Sequence, residues 1–469
     1  MAVIFWFRRD LRLNDNLGLG AAIKSGQPVI PLFIFDPAIL NSDRLGIPRL
    51  KFMLKALESL NNTLNLYQRK LLIRYGNPLK ILPEIISETG AQAVYFNQDY
   101  TPYARARDEA IQYAVDIPVH TFHDRLLVPP QEIAKDDGTP YTVYTPFMKK
   151  WRTFQKASSA DYALSTDVLH DLAVLQNENI PSLADLNFDK TIDVPEASEA
   201  HATSLLSYFL QHHVNDYAEA RDLLGNAQQS PRTHTSFLSP YIRFGLIATR
   251  TIYWACRAAY DATTNETSRR SITKFVDELI WHEFYTYILW HFPDVKTQNF
   301  QRKYDGIQWQ TEGLQAWKDG RTGYPIVDAA MRQLKATGWM HNRARMVVAS
   351  FLTKDLLIDW REGELHFMKW LIDGDLAANN GGWQWAAGTG TDAQPYFRIF
   401  NPVLQSRKFD PNGEFIRCWI PELQDVPDQF IHEPWKMPHP PKDYPPPIVD
   451  HSQARQAALD AYKWGQDHA

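Results

Sequence analysis

Cysteine is nearly absent from this 469-residue chain: Cys256 and Cys418 are the only two, and they lie far apart. That excludes a disulfide scaffold and a zinc finger, and it fits a reducing compartment. Long hydrophobic runs are missing, so no stretch approaches a membrane span. Charges follow directly on a short apolar run in "MAVIFWFRRDLRLND", which is therefore no signal peptide. The expected location is the cytoplasm, with no membrane partner. A basic excess is lacking too. The net charge of -5 argues against wholesale electrostatic binding to nucleic acid but leaves room for a local basic groove. No G-x-G-x-x-G follows the first apolar run, so the usual dinucleotide fingerprint is absent. Tryptophan is scarce in one part only: Trp6 and Trp151 stand alone in the first 200 residues, and 13 of the 15 tryptophans follow.

What is present is ordinary globular material, 44% hydrophobic and 22% charged, long enough for two or three domains. Short apolar runs at 3–7, 29–35, 70–76, 93–97 and 119–122 alternate with helix-like segments at 49–65, 78–89 and 104–114. Near-continuous apolar strands between helices predict a parallel, Rossmann-like sheet covered on both faces. From 130 to 200, Pro, Asp, Ser and Asn dominate and periodicity fades, which predicts a surface connector with a little local helix. Beyond 200, long helical patterns take over, and the proline-rich "WKMPHPPKDYPPPIVD" predicts an extended strap. The expected architecture is an α/β domain over 1–130, a connector over 131–200 and an all-α domain over 201–469.

Three stretches carry unusual chemistry. "DGDLAANNGGWQWAAGTGTDAQPYFRIFNP" (373–402) pairs acids, amides and glycines with two indoles in an order that no amphipathic helix or strand needs. In "ELIWHEFYTYILWHF" (278–292), Glu278, Trp281 and Tyr285 recur at three- and four-residue spacing and share one helix face. A carboxylate on such an aromatic stripe needs a partner, a polar ligand or water. In "TGWMHNRARM" (337–346), His341, Asn342, Arg343, Arg345 and Met346 gather at a helix start, where free amide hydrogens and guanidinium groups suit an anionic ligand or a salt bridge.

Together with "TGYPIVDAAMRQL" and "FWFRRDLRLNDN", these stretches resemble the photolyase/cryptochrome family, most of all its bacterial class I cyclobutane pyrimidine dimer photolyases. The resemblance spans nearly the whole chain. It implies a helical domain holding FAD in a U-shape and photo-lyase activity on cyclobutane pyrimidine dimers in UV-damaged DNA, in a monomer. On this likeness Glycines 381 and 382 let backbone approach a flat ring. Asp373 and Asp375 accept from the flavin imide and hold Arg345 beside it, and Asn379 faces the reactive ring nitrogen. Tyr217 and "TSFLS" (Thr235, Ser236, Phe237, Leu238, Ser239) serve the flavin phosphates. The usual family form has glycine and arginine where His234 and Phe237 stand, and a proline soon after Arg221, which "DLLGNAQQS" lacks.

The same likeness implies that Glu278 touches both flavin and the dimer's carbonyl edge, with Asn342 as a second polar contact. Met346 closes the apolar side, and Trp281 and Trp385 stack on the extruded bases. Arg221, Arg343 and Arg398 are the implied phosphate contacts. Trp383, Trp360 and Trp309 match the family's electron-transfer chain to the surface. For a second chromophore, Arg49, Asp99 and Arg243 match relatives that use 8-hydroxy-5-deazaflavin. Ala104 stands where users of methenyltetrahydrofolate carry glutamate; an empty antenna site is the other alternative. A blue-light sensor without repair and a (6-4) photolyase are the competing functions. Plant sensors place aspartate, and animal-type members cysteine, where Asn379 stands, and (6-4) enzymes carry two histidines in the stretch matching "MHNRARM". No metal is implied.

Overall fold

The computed structural model describes residues 2–172, 175, 177–188, 192–225 and 234–468. The chain divides into two compact units: residues 1–215 with 236–291, and residues 216–235 with 292–469. The connector and the helices through His291 thus pack in the same unit as the sheet.

The first unit is built on a five-stranded parallel sheet. Its strands are β1 (Val3–Phe7), β2 (Val29–Phe35), β3 (Leu72–Tyr75), β4 (Val94–Asn97) and β5 (Val119–Phe122), in spatial order β3-β2-β1-β4-β5. Every residue of β1 and β2 is buried, which is why neither alternates: a strand inside a parallel sheet has apolar neighbours on both faces. Ile4 of β1 sits opposite Ile30 on one side and Val94 on the other. β5 lies at the edge and is correspondingly more polar and exposed. Helix starts in this unit follow local chemistry. Asn16 accepts from the Leu19 amide, and Asn77 accepts from the Leu79 amide with Pro78 at the first helical position.

The connector holds more order than its composition predicts. Tyr144–Thr153 is a ten-residue helix whose Tyr144, Phe147 and Trp151 are buried at positions i, i+3 and i+7. It packs on the 26-residue helix Glu266–His291.

The second unit is helical. Its core gathers Trp317, Trp360, Trp383, Phe367 and Phe415 among smaller apolar residues. The glycine- and amide-rich stretch, which suggests neither helix nor strand, is helical over Leu376–Ala387. Asp375 caps it by accepting from the amides of Ala377 and Ala378. This helix buries Ala377, Asn380, Trp383, Gln384 and Ala387 on one face, but two of the five are amides, so no apolar stripe marks it. Its inward amides are satisfied. Gln384 accepts from the Phe300 amide at 2.9 Å and donates to the Val295 carbonyl at 2.9 Å, and Asn380 donates to that carbonyl as well. A π-helical turn, Phe351–Asp355, follows the helix Asn342–Ser350. The expected strap is largely irregular after a short 3-10 turn at Pro434–Lys436. It is held by Tyr444, which donates to Asp328 at 2.6 Å, and by the Ile448 amide on the Thr322 carbonyl. A helix that composition did not announce, His451–Asp467, ends the chain, capped by Asp450.

Candidate functional site

In the first unit, Glu278 and Trp281 lie on the helix Glu266–His291, both half-buried. Lys274, one turn earlier, reaches Glu278 at 3.5 Å. Trp281 is stacked on Tyr144, with ring centroids 3.6 Å apart and planes 3° from parallel. Tyr285 flanks the indole at 5.7 Å.

Of the antenna candidates, Asp99 and Arg243 are brought together. Asp99 receives Arg9 and Arg125, each at 3.3 Å, and Arg9 also donates to the Arg243 carbonyl. Burial alone raises the Asp99 carboxyl, but Arg9, Arg125 and Arg243 outweigh it and hold the group well below the usual carboxylate range. Arg49 is buried on the helix Ile47–Asn65 and donates to the Arg44 carbonyl. Ala104 is buried and cannot supply a carboxylate.

The segment matched to the flavin phosphates has an uncommon backbone. His234 (φ 57°) and Phe237 (φ 53°) both adopt the left-handed conformation that favours glycine, at a cost of about 1 kcal/mol or more each. The family's glycine at position 234 thus has a conformational reason, and here histidine takes the same shape. Thr235 Oγ1 is buried without a hydrogen-bond partner. The Ser236 hydroxyl accepts from the Leu238 amide, and Ser239 opens a short helix. Residues 226–233, including most of the loop that lacks the family's proline, lie outside the described residues.

In the second unit, Arg345 donates to Asp373 at 2.8 Å and to the Met340 carbonyl at 2.8 Å. The second Asp373 oxygen is buried with no partner. Asp375 serves the helix cap, so of the two acids it is Asp373 that pairs with Arg345. Asn379 donates to Glu364, through both its backbone carbonyl and its carboxylate. A Cβ at Gly382 would meet nothing within 4 Å. A mid-helix glycine costs roughly 0.5–1 kcal/mol relative to alanine, and the protein's own packing gives no reason for that cost here. An unpaired buried acceptor, an unpaired buried hydroxyl and a helix surface stripped of Cβ atoms are what a flat, imide-bearing, phosphate-bearing cofactor would require. These residues fit FAD.

Trp383 is buried between Phe367, at 5.0 Å, and Trp317, at 5.9 Å. Trp360 is buried, and its indole nitrogen donates to Asn299 at 2.8 Å. Trp309 is half-buried, packs edge-on against Tyr462, and lines a 240 Å³ cavity with Asn299, Asp305 and Arg361. Trp385 is half-buried on the same helix as Trp383. The Asn342 amide nitrogen lies 3.9 Å from the Met346 sulfur, so the two share a face one turn apart. Two implied phosphate ligands already meet an acid. Arg343 pairs with Asp222 at 2.6 Å and lies over the Phe409 ring, and Arg221 reaches Asp222 at 3.8 Å. Tyr217 is buried beneath the Arg221 guanidinium, and Arg398 is exposed.

Sequence reasoning missed two contributors, Gly363 and Gln384, and the role of a third, His341. Gly363 is needed because a Cβ there would stand 2.1 Å from the Trp383 ring. Gln384, between the two indoles, ties the segment 295–300 beneath them. His341 caps the helix of Asn342 and Met346 by accepting from the Arg343 amide at 3.1 Å. Burial, with help from the neighbouring arginines and against Asp222, lowers the His341 imidazole to about 4. A histidine lowered on folding contributes stability that is present above pH 6.5 and lost as pH falls through 4. The shift corresponds to roughly 3 kcal/mol at most. We expect His341→Asn, which retains a capping acceptor, to flatten the loss of thermal stability between pH 7 and pH 4. An unchanged pH slope in thermal melts would remove His341 from this role.

A parallel α/β unit in one chain with a helical unit whose residues fit FAD is the make-up of a flavoprotein. Residues 275–464 match the model for the FAD binding domain of DNA photolyase, and residues 3–163 match that for DNA photolyase. The chain is 41% identical to the deoxyribodipyrimidine photo-lyase of Halobacterium salinarum, over 98% of each chain. It is 40% identical to that of Escherichia coli, again over 98% of each. The crystal structure of a bacterial class III photolyase from Agrobacterium tumefaciens superposes with a TM-score of 0.90 at 36% identity, covering 99% of this chain and 98% of that one. This chain belongs to the DNA photolyase family. Among the described residues, no helix is long and apolar enough to cross a membrane.

Proposed function

We propose that this protein is a light-dependent DNA-repair enzyme that splits cyclobutane pyrimidine dimers in UV-damaged DNA. A cyclobutane ring joining two pyrimidines gives acid/base catalysis little to act on, and it opens readily once it holds an extra electron. Reduced FAD, when bound and excited by light, supplies that electron and recovers it afterwards. The protein's part is to bind, orient and stabilise charge. Asp373, Arg345 and Asn379 address the flavin ring, with Asp375 capping their helix, while Tyr217 and Thr235 to Ser239 address its phosphates. Glu278 and Asn342 offer polar contacts to the pyrimidine edge, where charge develops only after the electron arrives. Trp281 and Trp385 stack on bases extruded from the duplex. A damaged, poorly stacked pair costs less to extrude, which itself favours the lesion. Arg221, Arg343 and Arg398 serve the DNA backbone, and the exchange of Asp222 for phosphate at Arg343 makes binding depend on salt.

The observation that carries the choice of lesion is the Asn342–Met346 pair. Met346 offers an apolar, polarizable surface and no proton. A (6-4) lesion must shift a hydroxyl or amino group between bases and needs an acid there. On this reading the protein is a dimer-splitting enzyme and not a (6-4) enzyme, and Asn379, where sensors carry aspartate or cysteine, sets it apart from them. For the antenna we read Arg49, Asp99 and Arg243 as the site of an 8-hydroxy-5-deazaflavin in a domain over 1–130. Residues 201–469 form the flavin domain, and the protein works as a cytoplasmic monomer. One experiment tests both readings. The purified protein's absorption spectrum should show flavin bands and a separate blue-edge band. Blue light should then restore an oligonucleotide carrying a cyclobutane dimer and leave a (6-4) oligonucleotide unchanged by chromatography. Repair of the (6-4) oligonucleotide would falsify the lesion assignment, and stoichiometric folate would overturn the antenna.

A further inference from the structure

The helix that carries Glu278 and Trp281 is clamped on both sides of that turn by one neighbour, the Tyr144–Thr153 helix. Before it, the Tyr144 hydroxyl donates to the Asp277 carbonyl at 3.0 Å, and Arg152 pairs with the Asp277 carboxylate at 2.6 Å. After it, the Trp151 indole nitrogen donates to the buried Glu283 carboxylate at 2.5 Å. That carboxylate also accepts from the amides of Leu127 and Val128. Between these anchors lies the Tyr144 ring, buried and parallel to the Trp281 indole at contact distance. Phe284 closes the edge of both rings, at 5.8 Å from each.

The consequence is geometric. An indole on a helix surface turns about two side-chain torsions, and ordering it when a base stacks costs free energy. Here one face of Trp281 is already covered, and the covering ring is tied at its hydroxyl to the backbone of the helix that bears Trp281. The indole plane is therefore set before any ligand arrives, with Tyr285 flanking it at 5.7 Å, and the indole remains only half-buried. We infer that Tyr144 is a positioning residue for lesion recognition: it fixes the plane of Trp281 so that an extruded pyrimidine dimer stacks on a preset surface. The hydroxyl-to-carbonyl bond is secondary, because the covered face is what removes the freedom. The inference rests on the reading of Trp281 as a base-stacking surface.

The test uses the flavin-loaded full chain and two duplex oligonucleotides, one with a single cyclobutane thymine dimer and one undamaged, with binding measured in the dark. Tyr144→Leu should weaken binding of the dimer duplex by about tenfold and leave undamaged binding unchanged. The yield per absorbed photon at saturating dimer should also be unchanged. Tyr144→Phe, which keeps the stack and loses only the hydroxyl, should stay within about twofold of the natural protein. If Tyr144→Leu does not retain flavin, Tyr144→Met, which fills more of the volume, is read in the same way. Trp281→Ala is the reference. Weakened dimer binding by Trp281→Ala with natural binding by the Tyr144 variant overturns the positioning role and spares the stacking surface. Equal weakening on both duplexes by the Tyr144 variant also overturns it, as general damage to the fold. Natural dimer binding by Trp281→Ala overturns the stacking reading and the inference with it.

Discussion

Trp383→Phe is expected to abolish light-driven reduction of the oxidised flavin while sparing dimer repair by enzyme reduced chemically beforehand. Trp383 is buried, Trp360 shares its core cluster, and Trp309 packs on that cluster beside a polar cavity. A hole formed at Trp383 can move outward only if each aromatic ring is easily oxidised. Indole meets that condition and a phenyl ring does not. A barrier raised by only ~3 kcal/mol slows a step about a hundredfold, and the exchange of indole for phenyl raises it further. Phenylalanine keeps most of the contacts with Phe367 and Trp317, so the fold and bound flavin should survive. The check is flavin absorbance under illumination with an external reductant, beside a repair assay on chemically reduced enzyme. Photoreduction at the natural rate would remove Trp383 from the chain, and loss of both activities would mean that the substitution damages the flavin site.

How far this could be foreseen from the chain alone varies with the kind of burial. β1 and β2 were legible to the residue, because a strand apolar on both faces leaves a continuous run with sharp ends. The run at 70–76 overshoots β3 because Lys70 and Gly76 lie beyond the ladder partners of β2. The helix Leu376–Ala387 was illegible for the opposite reason: its buried face carries the amides Asn380 and Gln384, satisfied inside, so it shows no apolar stripe to read. Tyr144–Thr153 did carry its signal, aromatics at i, i+3 and i+7, but proline and acidic neighbours hid it. The candidate site was read through motif resemblance, which names residues and not their partners. Nothing in the order of residues says that Asp375 serves a cap while Asp373 pairs with Arg345. Nor does it say that Asp222 meets both Arg343 and Arg221.

Gly363 is the sharpest case of a partner hidden by sequence distance, and it carries the second large expected effect. It lies on the helix Trp360–Trp370, twenty residues before Trp383, and a Cβ on it would come within 2.1, 2.4 and 2.6 Å of three atoms of the Trp383 six-membered ring. Those separations are far inside contact distance. The indole cannot simply turn aside, because Phe367 and Trp317 hold it edge-on from two directions. Gly363→Ala should therefore displace Trp383 or part the two helices. Overpacking of this kind costs roughly 1–3 kcal/mol, and more where neighbours cannot give. Helix propensity works the other way, since alanine is favoured over glycine by about 1 kcal/mol, so a net loss must come from the collision. We expect a lower thermal midpoint and reduced flavin retention. The atoms that collide are those by which indole extends past phenyl, so Trp383→Phe should relieve the clash. In a double-mutant cycle, Gly363→Ala should be destabilising beside Trp383 and neutral or stabilising beside Phe at 383, with a coupling of about 1–3 kcal/mol. Additive effects in that cycle, measured by denaturation with flavin content recorded in parallel, would mean that the two residues do not meet as the structure has them.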